Sequence, residues 1–125
     1  MFSDLSQTSS GKHMVSDIKE IKNKILLNDM NKVKEYLDYI CDAYDFAILG
    51  KLEHVFEPQG FTVIYLLSES HISIHTFPER EYLAFDIYTC RTYSDNNVYN
   101  EIYTYLVDIF QAKKETPNVI ERNFT

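Results

Sequence analysis

Tryptophan is absent from this 125-residue chain, and cysteine, glycine and proline are scarce, at two, three and three residues. The cysteines, Cys41 and Cys90, are too few for a disulfide framework and show no metal-binding spacing. Both are therefore expected as reduced thiols of a cytoplasmic protein. With so little glycine and proline there is scant material for linkers, and the length suits a single domain over residues 1–125. No apolar run approaches the ~18 residues that would span a membrane. The opening M-F-S-D-L-S-Q-T-S-S-G lacks the basic start and apolar stretch of a secretory signal. Basic side chains are also outnumbered, twelve Lys and Arg against nineteen Asp and Glu, for a net charge of −7. This balance excludes nucleic acid as a partner, because phosphates are gripped by clustered cations that release counterions.

The chain is instead rich in tyrosine and phenylalanine, with ten and eight residues. Rings with a polar tip favour half-buried surfaces, so the composition points to a partner subunit. Residues 1–10 are polar and read as a flexible tail. Residues 13–18 form a first short strand. A helix capped by Asn28 or Asp29 runs to about Tyr44, because Val33, Leu37, Ile40 and Tyr44 recur at three and four residues. Cys41 lies on its apolar side. Residues 46–56 are extended, Pro58-Gln59-Gly60 makes a turn, and 61–68, 71–77 and 81–90 are β-rich, the last pair separated by a turn at Pro78. Ser94 or Asp95 caps a second helix whose stripe is Val98, Ile102, Leu106 and Ile109, and a strand at 118–122 ends the chain. Consecutive strands with short turns predict an antiparallel sheet, with the two helices on one face. The class is α+β, a two-layer sandwich. Its other face then needs polarity or a partner.

The stretch S-E-S-H-I-S-I-H-T-F-P-E, residues 68–79, carries chemistry-bearing side chains at strand spacing. His71 and His75 are four apart, but four residues of strand span about 13 Å, while ligands of one zinc lie at ~2 Å from it. No shared metal is expected. A hydrolytic serine triad has no support, since G-x-S-x-G is missing. Self-processing has its ingredients. A serine hydroxyl can attack the carbonyl before it, turning the amide into an ester. Loss of the serine α-proton then expels the upstream chain, and the dehydroalanine left behind hydrolyses to a pyruvoyl group and ammonia. Such a route needs a serine at a turn, a hydroxyl near the carbonyl and a base. Glu69-Ser70, Thr62 and His75 supply these residue types, without showing that they converge.

The run from Phe56 to Cys90, with P-Q-G, E-S-H-I-S-I-H-T followed by P-E, and D-I-Y-T-C, resembles the small prokaryotic S-adenosylmethionine decarboxylase proenzymes. G-K-H at 11–13 and Arg122 extend the resemblance over most of the chain. It implies cleavage between Glu69 and Ser70 into a β chain 1–69 and an α chain 70–125. The α chain would begin with a covalent pyruvoyl group derived from Ser70, which forms a Schiff base with the substrate amine, and no metal is implied. Thr62 matches the processing hydroxyl, His75 the processing imidazole, and Cys90 the thiol that returns a proton to the substrate. Phe56 and His75 match the groups that sandwich the adenine, and Glu79 the carboxylate on the ribose. The implied substrate is S-adenosylmethionine, its product the aminopropyl donor for spermidine synthesis. The implied assembly is a homodimer with the site near the interface.

The resemblance has departures. Phe77 stands where the family has Trp, Arg91 follows Cys90 in place of Gly, and Asn123 follows Arg122 in place of Gly. They leave two other functions open: the same pyruvoyl chemistry on a basic amino acid, L-ornithine or L-arginine, or an unprocessed regulatory partner. Taken singly, Cys90, His75, Phe56, Thr62 and Glu79 are ordinary strand, core or turn residues, and only their joint pattern argues for a site. His71 is either structural or a support for the site. His13 and His54 have no assigned role.

Overall fold

Side chains that alternate with a period of two build the sheet. The computed structural model describes residues 5–125. Its strands are β1 (Ser9–Ile18), β2 (Ile48–Val55), β3 (Phe61–Leu67), β4 (Ser70–Phe77), β5 (Tyr82–Thr89) and β6 (Asn118–Asn123). They form one sheet in the order β2-β3-β4-β5-β1-β6, every pair antiparallel. Phe61, Val63, Tyr65 and Leu67 of β3, Ile72 and Ile74 of β4, and Leu83, Phe85 and Ile87 of β5 are buried on one face. Helices α1 (Met30–Ala43) and α2 (Asn97–Phe110) cover that face and contribute Val33, Leu37, Ile40 and Cys41, and Ile102, Leu106 and Phe110, to the same core. The α+β two-layer sandwich expected from the sequence is thus the observed architecture. Among the described residues no helix is long and apolar enough to cross a membrane.

Local chemistry explains the boundaries. The Asp29 carboxylate accepts from the Lys32 N–H at 3.0 Å and caps α1. Asn28, the other predicted cap, acts elsewhere. Its Oδ1 accepts from the Gly60 N–H at 2.8 Å and ties the turn after β2 to the start of α1. Tyr65, on β3, donates to Asp38 of α1 at 2.6 Å. Burial, and then that carboxylate, push its phenol far above the usual tyrosine range.

Three expectations are corrected. The sequence predicts a flexible tail over residues 1–10, but β1 begins at Ser9, because the edge strand β6 pairs with it from Ser9↔Asn123 onward. The Phe124 N–H also donates to the Thr8 carbonyl at 2.8 Å. Residues 1–4 lie outside the described part. The cap of α2 is Asn96 rather than Ser94 or Asp95, and Asp95 instead accepts from the Asn97 N–H at 3.0 Å. The buried face of α2 is Tyr99, Ile102, Tyr103, Leu106, Val107 and Phe110, which leaves Val98 and Ile109 half-buried at its margins. Two tyrosines can occupy the centre because their hydroxyls are satisfied there. Tyr99 shares a 2.7 Å hydrogen bond with Thr89, and Tyr103 accepts from the Glu115 N–H at 2.8 Å.

Candidate active site

Two groups of predicted site residues emerge, at opposite ends of β4. The first lines a cleft of about 450 Å³ formed by Phe56, Thr62, His75, Phe77, Glu79 and the turn at residues 57–59. Antiparallel register sets Thr62 opposite His75, and their side chains bond through Thr62 Oγ1 and His75 Nδ1 at 2.8 Å. Among the described residues the other imidazole nitrogen of His75 has no hydrogen-bond partner. Such a hydroxyl–imidazole pair can pass a proton between the two groups. Beyond β4, the one-turn 3-10 segment Pro78–Arg80 carries exposed Glu79 at the rim. The opposite wall is held by the Gly60 carbonyl, which accepts from the Phe56 N–H at 2.9 Å. Gly60 has φ +89°, and a Cβ there would lie 2.9 Å from the Thr76 carbonyl oxygen, so glycine is required for this wall to close against β4.

The second group surrounds Ser70. Leu67 and Ser70 are paired across a connection of two residues, Ser68 and Glu69, so the Glu69–Ser70 bond lies at a hairpin end. The backbone N–H of Cys90 donates to the Glu69 carbonyl at 3.3 Å. A donor on that oxygen draws charge from the carbonyl carbon, the atom a Ser70 hydroxyl would attack. Glu69 and Ser70 border a hollow of about 140 Å³ whose other lining includes Asp45, Phe46 and Arg91.

These groups do not meet within one chain. Ser70 and His75 are five residues apart on one strand, about 16 Å at 3.3 Å per residue. Ser70 also shares its parity with buried Ile72 and Ile74, on the helix side, whereas His75 is set toward the open face. One protomer therefore brings Glu69, Ser70 and Cys90 together, and Phe56, Thr62, His75 and Glu79 together, at separate places.

Between them the open face carries a polar network in which the sequence reading places only His71, as structural or a support for the site. Asp86 accepts from His13 Nε2 at 2.5 Å, from His71 Nε2 at 3.2 Å and from the Ser73 hydroxyl. Burial alone would raise the Asp86 carboxyl, but the hydrogen bonds from Ser73, His13 and His71 outweigh it and hold it below the ordinary carboxylate value. The ligand atoms of His13, His71 and Asp86 all lie within 4.8 Å of one another, close enough for a small cation. Arg122, however, reaches His13 Nδ1 at 3.2 Å. A guanidinium only donates, so Nδ1 is the acceptor and Nε2 carries the proton given to Asp86. The cluster is thus hydrogen-bonded as it stands. Its sequence signals are His71 and Ser73 in the alternating stretch 68–79 and a carboxylate at the centre of the run L-A-F-D-I-Y-T, where a half-buried charge needs partners.

The two thiols differ. Cys41 is buried in α1, and burial, followed by the charge of Asp38, pushes it up to about 11. Cys90 is free and half-buried at the end of β5.

The S-adenosylmethionine decarboxylase family matches residues 12–123 of this chain. A Bacillus cereus protein named S-adenosylmethionine decarboxylase proenzyme 2 is 34% identical over 110 residues, which cover 88% of this chain and 86% of that protein. A Clostridium botulinum S-adenosylmethionine decarboxylase proenzyme is 38% identical over 105 residues, or 84% and 87% of the two chains. The crystal structure of the adenosylmethionine decarboxylase from Aquifex aeolicus is similar with a TM-score of 0.80 over 95% of both chains, at 24% identity, which bears on the fold. The chain belongs to the S-adenosylmethionine decarboxylase family.

Proposed function

We propose that the chain is a proenzyme that cuts itself between Glu69 and Ser70 and then decarboxylates S-adenosylmethionine in the cytoplasm. The observation that carries this reading is the hydrogen bond from Cys90 to the carbonyl of the Glu69–Ser70 bond. The Ser70 hydroxyl adds to that carbonyl, the C–N bond breaks, and Glu69 becomes an ester on the Ser70 oxygen with a free Ser70 amine. A base removes the Ser70 α-proton, the Cβ–O bond breaks, and Glu69 leaves as a carboxylate. Water then replaces the nitrogen of the resulting dehydroalanine, releasing ammonia. The products are chains 1–69 and 70–125, the latter starting with a pyruvoyl group. Ser70 fits as its source because it stands at a hairpin end beside a hollow, with its acyl partner already held. Once present, the group supplies an electron sink for loss of carbon dioxide from an α-amino acid.

The protein's own residues do the rest. Phe56 and His75 offer two flat faces to an adenine across the cleft, and Glu79 at the rim accepts from the ribose hydroxyls. Cys90 returns a proton to the substrate α-carbon. No metal is assigned. The separation of the two groups supports a homodimer in which open sheet faces meet in opposite directions, so that the Ser70 end of one β4 faces the His75 end of the other. The open side carries exposed apolar groups that such a contact would cover, among them Leu52, Ile64 and Leu66.

Phe77 on the cleft wall, where the family has Trp, keeps a second substrate in play: L-ornithine or L-arginine on the same pyruvoyl group. Carbon dioxide release from carboxyl-labelled S-adenosylmethionine, ornithine and arginine separates the readings. Release from S-adenosylmethionine, weakened through KM by Glu79→Gln, supports the proposal. Release only from ornithine or arginine transfers the function to a basic amino acid. Failure to self-cleave would favour the regulatory partner.

A further inference from the structure

Arg91 follows Cys90 and borders the hollow beside the proposed cleavage bond. Its Nη1 donates to the Tyr44 carbonyl at 2.6 Å and to the Tyr93 hydroxyl at 3.4 Å, and its Nη2 donates to the Asp45 carbonyl. The guanidinium also lies over the Phe46 ring, 4.4 Å from its centre. All these partners are neutral. Among the described residues no carboxylate lies within ion-pairing distance of Arg91. Three of the five N–H donors of a guanidinium are thus used, and two remain. Arg91 borders the hollow that holds Glu69 and Ser70, and Asp45 also lines it.

Capping the C-terminal end of α1 accounts for the contacts to Tyr44 and Asp45. It does not account for a fixed cation with no ion-pair partner placed beside the bond proposed to be cut. Resting on the proposed self-cleavage, we infer that Arg91 is the counter-ion for the α-carboxylate that cleavage creates on Glu69. In the elimination step the Ser70 α-proton goes to a base, its electron pair forms the Cα=Cβ bond, and the Cβ–O bond breaks. The electrons of that bond leave on the Glu69 carboxylate. Before this step the ester is neutral; after it a new anion lies beside the hollow that Arg91 borders. A guanidinium held rigid in advance stabilises that developing charge without rearranging and makes the carboxylate a better leaving group. The same ion pair would keep the new end of the β chain docked after the cut.

The test follows maturation of the full chain and of Arg91→Gln and Arg91→Lys by intact mass, with and without hydroxylamine. Hydroxylamine opens an ester but leaves an amide. It would convert the intermediate into a chain 1–69 ending in a hydroxamate and a chain 70–125 starting with unmodified Ser70. Arg91→Gln is expected to slow appearance of the pyruvoyl chain roughly 10²- to 10³-fold and to accumulate full-length, hydroxylamine-sensitive protein. Arg91→Lys, which keeps the charge, should recover much of the rate. Arg91→Gln that matures at the unaltered rate would overturn the inference. So would Arg91→Gln that stays full-length, resists hydroxylamine and melts at lower temperature, which would make Arg91 a helix cap only. If the unmodified chain never cuts, the proposed self-cleavage fails first.

Discussion

A hydroxyl and an imidazole, Thr62 and His75, are bonded at 2.8 Å across the β3–β4 hairpin. If they act in maturation, removing either proton-handling group should slow self-cleavage by roughly 10²–10⁴-fold. Thr62→Val and His75→Ala are expected to show this in time courses on denaturing gels, with melting temperatures little changed, whereas Thr62→Ser should stay fast. Equal cleavage by all three would remove both residues from the reaction. The cysteines give an independent check. With Cys41 buried and its thiol pushed up to about 11, alkylation near pH 8 should modify Cys90 first, read by peptide mapping. Preferential labelling of Cys41 would contradict the burial described. The grouping of Thr62, His75 and Glu79 is accessible from the sequence because a hairpin and its following turn bring near neighbours together. Arg91 stands out there only as a departure, since its partners Tyr44 and Asp45 lie at the end of a helix far back in the chain.

Strands and helices are legible where one period dominates and obscure where partners are distant. The run 61–77 alternates cleanly, and the hairpin of β3 and β4 follows. Weighting aliphatic residues over tyrosines sets the stripe of α2 on Val98 and Ile109, away from its true centre. Tyr99 and Tyr103 are buried because Thr89 and Glu115 complete their hydrogen bonds, and neither partner is part of the helix. The early start of β1 depends on β6, over a hundred residues later. Where β1 passes β5, Gly11 has φ +141°, and a Cβ on it would lie 2.0 Å from the Thr89 carbonyl oxygen and 3.0 Å from the Cys90 Cα. Gly11→Ala should therefore cost about 3 kcal/mol, the upper end for overpacking, and disturb the Cys90 N–H that reaches Glu69. Urea denaturation and the cleavage rate would check both; an unaltered protein would contradict the close approach.

Asp86 joins three strands through His13 of β1 and His71 and Ser73 of β4, so its titration is also an element-scale property. Its folded carboxyl lies below the unfolded value, so ionised Asp86 stabilises the fold fully above about 3.9. That contribution is lost as pH falls below this value and through the lower folded one. Asp86→Asn should destabilise at neutral pH by about 1–3 kcal/mol, and the gap to the unmodified protein should narrow as the pH is taken below 4. A gap that is constant with pH would mean that the carboxylate charge contributes nothing.

At the scale of the whole molecule, the two groups of candidate site residues lie about 16 Å apart along β4 of a single chain. The proposed face-to-face dimer would join them, and this can be tested by mixing. Ser70→Ala and His75→Ala chains are each expected to remain uncut alone. Refolded together, they would form some dimers in which the intact Ser70 of one chain meets the intact His75 of the other, and the His75→Ala chain should then be cut. No cleavage on mixing, with dimers demonstrated by light scattering, would place the complete site within one chain. The two-layer fold is predictable from a sheet with one apolar face. The proposed second copy has its sequence signal only in excess tyrosine, because composition records half-buried surface without saying where it lies.

Every proposed step of catalysis depends on the chain first breaking one of its own bonds, so the mass of the denatured, purified protein beside a Ser70→Ala control is decisive. Two chains are expected, 1–69 with a free carboxylate and 70–125 beginning with a pyruvoyl group, together with a single full-length control. One uncut chain after long incubation at neutral pH, or a cut anywhere other than between Glu69 and Ser70, would contradict self-activation at this bond.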